Sequence, residues 1–132
     1  MKRLKKILGL LILFSNMASA TEPIVGVWHT VVPTVQIALM GKTVSSSRLY
    51  PPALATGHRL AFVRWAYQLS EPYGAMVWLC HPSRCVKLNA TQGRISELAG
   101  LDAAEPLWFE FQRISEHAIV EVRNLQIHVQ YR

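Results

Sequence analysis

The stretch Trp78–Leu88 reads WLCHPSRCVKL and carries the chain's two cysteines, Cys80 and Cys85, with His81 between them. Thiols and an imidazole this close suit three chemistries: a metal site, thiol–disulfide exchange, or a structural crosslink. Zinc asks for about four ligands, and no second Cys/His pair lies within a few residues. A redox centre favours Cys-x-x-Cys beside a helix start, whereas four residues separate these cysteines. The crosslink needs only a hairpin. Strands ending at Cys80 and resuming at Cys85, around His81-Pro82-Ser83-Arg84, set the two side chains opposite each other at bonding distance.

The remaining reactive side chains do not assemble into a catalytic pattern. Of His29, His58, His81, His117 and His128, none stands four residues from another in the manner of a metalloprotease helix. His81 and His117 fall in expected turns, and His128 falls on the polar face of a strand. Ser45-Ser46-Ser47 lacks the glycines of a nucleophile elbow. Ser83 neighbours His81 in sequence, but a triad is defined by geometry. The eight scattered carboxylates offer no acid/base couple, and no glycine-rich phosphate loop is present. The expectation is a protein that is not an enzyme, with no cofactor and no metal.

The compartment decides the chemistry of the cysteines. Residues 1–6 hold four positive charges, Ile7–Phe14 is an unbroken apolar run, and Ala18-Ser19-Ala20 supplies an A-x-A cleavage site. That order is a secretory signal peptide over residues 1–20. The apolar run is far short of the ~20 residues that span a bilayer, so no membrane span is expected after cleavage. The mature chain would begin at Thr21 in the periplasm, where a facing cysteine pair oxidises. A disulfide is therefore favoured over zinc, with a stabilisation of about 2 kcal/mol for so short a loop.

Cleavage also removes Lys2, Arg3, Lys5 and Lys6, leaving ten Lys/Arg against eight Asp/Glu, a net charge of +2 where the full chain has +6. The basic residues that remain are scattered, with no cluster to follow a phosphate backbone. Nucleic acid is excluded as a partner.

Residues 21–132 make a single domain, and alternation of period two dominates it. Leu125, Ile127, Val129 and Tyr131 alternate with Gln126, His128, Gln130 and Arg132, a strand with one buried and one wet face. Val120 and Val122 lie on the opposite parity, so a bulge or bend near Arg123-Asn124 is needed to keep both halves on one core. Similar runs occur at Gly26–Val32, Val35–Leu39, Thr43–Leu49, Val63–Leu69, Ala75–Cys80, Cys85–Leu88 and Leu107–Gln112. Turn residues fall between them, among them Gly41-Lys42, Pro51-Pro52, Pro72-Tyr73-Gly74, Thr91-Gln92-Gly93 and Glu105-Pro106. Seven to nine short strands at this spacing predict an all-β, antiparallel β-sandwich with a disulfide-stapled hairpin. Arg94–Ala104 carries Ile95, Leu98 and Leu101 at three-residue intervals, interrupted by Gly100, and predicts one turn of helix at most.

Four tryptophans, Trp28, Trp65, Trp78 and Trp108, invite comparison with a sugar-stacking platform. Core packing is the plainer account, and Trp65 shares the parity of Val63 and Tyr67. Trp108 is the exception, opposite in parity to Leu107, Phe109 and Phe111. It is either packed on a second buried face or available to a partner.

Beyond these patterns, the order of several segments resembles the flagellar protein FlhE family. They are Val44-Ser45-Ser46-Ser47, Arg64-Trp65-Ala66-Tyr67, Leu79-Cys80 through Leu88, Leu98-Ala99-Gly100-Leu101, Pro106–Phe111 and Val129-Gln130-Tyr131-Arg132. The likeness is densest from Arg64 onward and weakest over residues 24–43. It implies a β-sandwich in the periplasm that serves flagellar assembly beside the type III export apparatus. It also implies a role in limiting proton leak and in orderly, chaperone-like control of secretion or rod assembly. The implied partners are export-gate or rod proteins, and a monomer is expected. The family brings no catalytic residues to carry over. The candidate partner-binding residues are Trp108, His128, Gln130 and Arg132, with edge pairing by the last strand as one mode. A periplasmic glycan- or peptidoglycan-binding module is the alternative.

Overall fold

A computed structural model describes residues 23–132. The signal peptide read at residues 1–20 lies outside them. Among the described residues nine strands form two antiparallel sheets: β1 (Gly26–Val32), β2 (Val35–Ile37), β3 (Thr43–Ser45), β4 (Leu60–Leu69), β5 (Ala75–His81), β6 (Arg84–Leu88), β7 (Gln92–Ile95), β8 (Trp108–Arg113) and β9 (Val120–Tyr131). One sheet runs β1-β9-β4-β7, with β2 also pairing β9, and the other runs β3-β8-β5-β6. This is the sandwich that the alternation predicts.

The inner faces are aliphatic and aromatic, and they exclude water. Val63, Leu125, Ile127 and Val129 from one sheet and Leu79, Phe109 and Phe111 from the other are fully buried. Each such side chain contributes roughly 1.5–3 kcal/mol by leaving water.

The parity change in β9 is resolved by a bulge. Ala66 pairs with Gln126 but Gln68 pairs with Arg123, so β9 carries one extra residue. Asn124 takes it up in the left-handed region, at φ 52°, and its Nδ2 donates to Gln68 Oε1 at 2.7 Å. Val120 and Val122 thereby join Leu125 in the core, all at zero exposure.

Two local expectations need correcting, and a third is met at its lower bound. Gln92-Gly93 is not a turn but the start of β7. The glycine is there because the Trp65 indole lies across it, and a Cβ would sit 2.9 Å from that ring. Arg94–Ala104 contains no helix: Arg94 and Ile95 belong to β7, and Leu98–Leu101 is a tight turn with Gly100 at φ +85°. The cysteine hairpin is also tighter than expected, because His81 pairs with Arg84 and leaves only Pro82-Ser83 as the loop.

Finally, β9 is not an edge. It is hydrogen-bonded to β1 and β2 on one side and β4 on the other, so the last strand has no free edge for pairing with a partner.

Candidate functional site

Cys80 and Cys85 stand directly opposite each other on β5 and β6, Cα atoms 4.0 Å apart, and form the disulfide. Glu110 Oε2 lies 3.0 Å from the Cys80 sulfur and 3.6 Å from that of Cys85. These three are a group whose ligand atoms lie within metal-binding reach of one another. With both sulfurs committed to the S–S bond, however, neither is a thiolate ligand, and neither bears a proton to donate to Glu110.

His81 is buried at 3% exposure rather than lying on an open turn. Its Nδ1 accepts from the Ser83 backbone N–H at 3.1 Å, which leaves Nε2–H to donate to the Asp102 carbonyl at 3.0 Å. The ring ties the hairpin tip to the Asp102 turn, a role in holding structure.

The candidate binding residues fall on two different sheets. Trp108 stands on the outer face of the four-stranded sheet, opposite Cys80. It is half-buried, with the Arg48 guanidinium carbon 3.6 Å from the indole ring centre. One face of the indole is thus already covered by a cation, which removes the open stacking surface a glycan platform would use. His128 and Gln130 lie on the outer face of the other sheet. Arg132 follows β9 and exchanges two backbone hydrogen bonds with Arg59, each 2.9 Å.

The registers bring together residues that the linear sequence keeps apart. His29 is opposite His128, His128 is opposite Arg64, and Arg64 is opposite Arg94. One line of four nitrogen-bearing side chains therefore crosses β1, β9, β4 and β7. The His29 and His128 ring centres are 4.3 Å apart, and His29 Nε2–H donates to Gln126 Oε1 at 3.3 Å. Beside this line, Phe62 carries the Arg94 guanidinium 3.7 Å above its ring centre and that of Arg64 at 5.7 Å. No periodicity within a strand signals such a row. It needs the order of the strands and their registers.

Two hollows also mark the surface. An open cleft of about 590 Å³ is lined by Tyr67, Leu69, Tyr73, Leu88, Asn89 and Thr91 among others. Burial pushes the Tyr67 hydroxyl above its ordinary 10.0, so it stays protonated at neutral pH and is no base. A groove of about 480 Å³ separates β1 from Ser47–Pro52, and beside it the buried Trp28 indole N–H lacks a partner among the described residues.

Comparison with known proteins agrees with this architecture. The family described as "Flagellar protein FlhE" matches residues 34–132. Flagellar protein FlhE of Salmonella typhimurium is 31% identical over 98% of this chain and 100% of its own length. That of Escherichia coli is 36% identical over 64% of this chain and 65% of its own. That of Yersinia enterocolitica is 34% identical over 72% of this chain and 73% of its own. A solved structure titled "Crystal Structure of FLHE" superposes with a TM-score of 0.67 at 31% identity, covering 81% of this chain and 96% of that one. The chain belongs to the flagellar protein FlhE family.

Proposed function

We propose that this protein is a periplasmic accessory of flagellar assembly that acts by binding, as a monomer, components of the rod or the type III export gate. In that role it limits proton leak through the export apparatus and keeps secretion or rod assembly orderly, as a chaperone does. The observation that carries the reading is the 31% identity to a flagellar protein along that protein's whole length. The site chemistry supports binding over catalysis: cations laid on aromatic rings and amide side chains on the outward face of β9. Among the described residues no helix is long and apolar enough to cross a membrane, in keeping with an exported chain.

Deletion of the gene tests the proposal, with swarming, basal-body completeness and cytoplasmic pH under an acid load as readouts. Impaired swarming and faster acidification, the latter only when the export apparatus is present, are expected. Normal swarming, flagellation and proton permeability in the deletion strain would overturn the reading.

A further inference from the structure

We propose that the outer face of the five-stranded sheet docks an acidic protein surface, with Arg64 and Arg94 as the carboxylate-binding pair and His29, His128 and Gln130 beside them. This deepens the binding reading above and rests on it for the setting, though not for the chemistry.

Three adjacent rows make up the part of the face around Arg64. They are Val27–Gln130–Phe62, then His29–His128–Arg64–Arg94, then Val31–Gln126–Ala66–Gln92. None of the three carries a carboxylate, and Glu121, farther along the same face, is paired with Arg123. With strands about 4.8 Å apart, the central row is about 14 Å long. Arg64 and Arg94 are exposed and directly opposed on neighbouring strands, an arrangement that costs stability because like charges face each other. No acid offsets it, since the ion pair found among the described residues joins Arg123 to Glu121 instead. Both guanidiniums gather at Phe62, with Arg94 laid on the ring. Stacking holds a guanidinium plane in place and leaves its N–H edges free for bidentate contact with a carboxylate.

Other occupants fit less well. A divalent cation at the His29–His128 pair would stand beside Arg64 and be repelled by it. Lipid headgroups are held by clusters of about four to eight Lys/Arg, whereas the central rows of this face hold two, and Arg123 farther along it is paired with Glu121. Its exposed Val27 and Val31 alternate with amides, the mixture found in protein interfaces. This distribution of charge therefore selects a protein whose surface presents two or more neighbouring Asp/Glu.

The test titrates the isotope-labelled mature chain with a ten-residue polyglutamate peptide at low salt, reading backbone amide shifts. Shifts confined to β1, β9, β4 and β7, with affinity lowered at least tenfold in the Arg64→Gln/Arg94→Gln double variant, are expected. The control pair Lys42→Gln/Lys87→Gln removes the same charge elsewhere and should stay within about twofold of the parent. Equal weakening by both pairs, or shifts centred on the other sheet, would overturn the proposal. So would tighter, arginine-dependent binding to phosphatidylglycerol vesicles than to the peptide, which would make the face a lipid site. Thermal melts of both variants establish that they fold. A deletion strain with normal flagella would remove the flagellar setting and leave this docking result standing, whereas unmapped peptide binding would remove the docking and leave the setting.

Discussion

The buried His81 ring holds two backbone groups, and the outcome of replacing it follows from that. Its Nδ1 satisfies the Ser83 N–H and its Nε2–H satisfies the Asp102 carbonyl. His81→Ala leaves both without their partner, and a loss of about 1–3 kcal/mol in urea unfolding is expected. The exposed His128→Ala should stay within about 0.5 kcal/mol of the parent in the same measurement. Gly93 predicts a similar contrast. A methyl group there meets the Trp65 ring at 2.9 Å, and that indole is fixed by its N–H to the Ala90 carbonyl at 3.0 Å. Gly93→Ala should cost about 1–3 kcal/mol as the ring is displaced, read as a lower urea midpoint. The disulfide is the one site residue pair whose fate the sequence makes legible, because a separation of five positions across a hairpin leaves little else. Cys80→Ala/Cys85→Ala should lower stability by about 2 kcal/mol and leave the fold intact, checked by circular dichroism and urea titration. The burial of His81 was not legible in the same stretch. A shift of hairpin length from four loop residues to two moves that ring from a loop into a strand.

At the scale of elements, β9 shows how far period-two reasoning reaches. Val120 and Val122 on one parity and Leu125 through Tyr131 on the other demanded an inserted residue, and the insertion sits where the parity breaks, at Asn124. Deleting Asn124 should therefore turn Val120 and Val122 toward solvent and abolish cooperative unfolding. Asn124→Val keeps the count but forces a β-branched residue to φ 52°, for an expected loss of about 1–2 kcal/mol. Both variants are distinguished by thermal unfolding. What alternation does not contain is which strands are neighbours. The terminal strand, polar on one face, reads equally well as an edge or as a centre, and only pairing decides it. The same ignorance hides the row from His29 to Arg94, whose members lie on four strands in the order β1, β9, β4, β7. β7 was the hardest to see. It is four residues long and includes a glycine kept for a neighbour's ring, so local composition speaks for a turn.

For the whole molecule, the sandwich is closed by pairings between distant parts of the chain. Gly26 is opposite Tyr131, 105 positions away, and the ladder between β4 and β9 joins partners 53 to 71 positions apart. The crosslinked hairpin closes only the short loop between Cys80 and Cys85. The core of the five-stranded sheet must therefore wait for β9, whichever strands have formed before it. Chains built on such remote pairings fold in milliseconds to seconds, orders of magnitude behind helical bundles. Stopped-flow refolding followed by tryptophan fluorescence should place the mature chain in that slow range, and a microsecond relaxation would contradict it. For a chain that the proposed function sends through a membrane channel, slowness is an asset: until β9 arrives no stable sandwich can jam the passage, and the polypeptide stays threadable while it crosses.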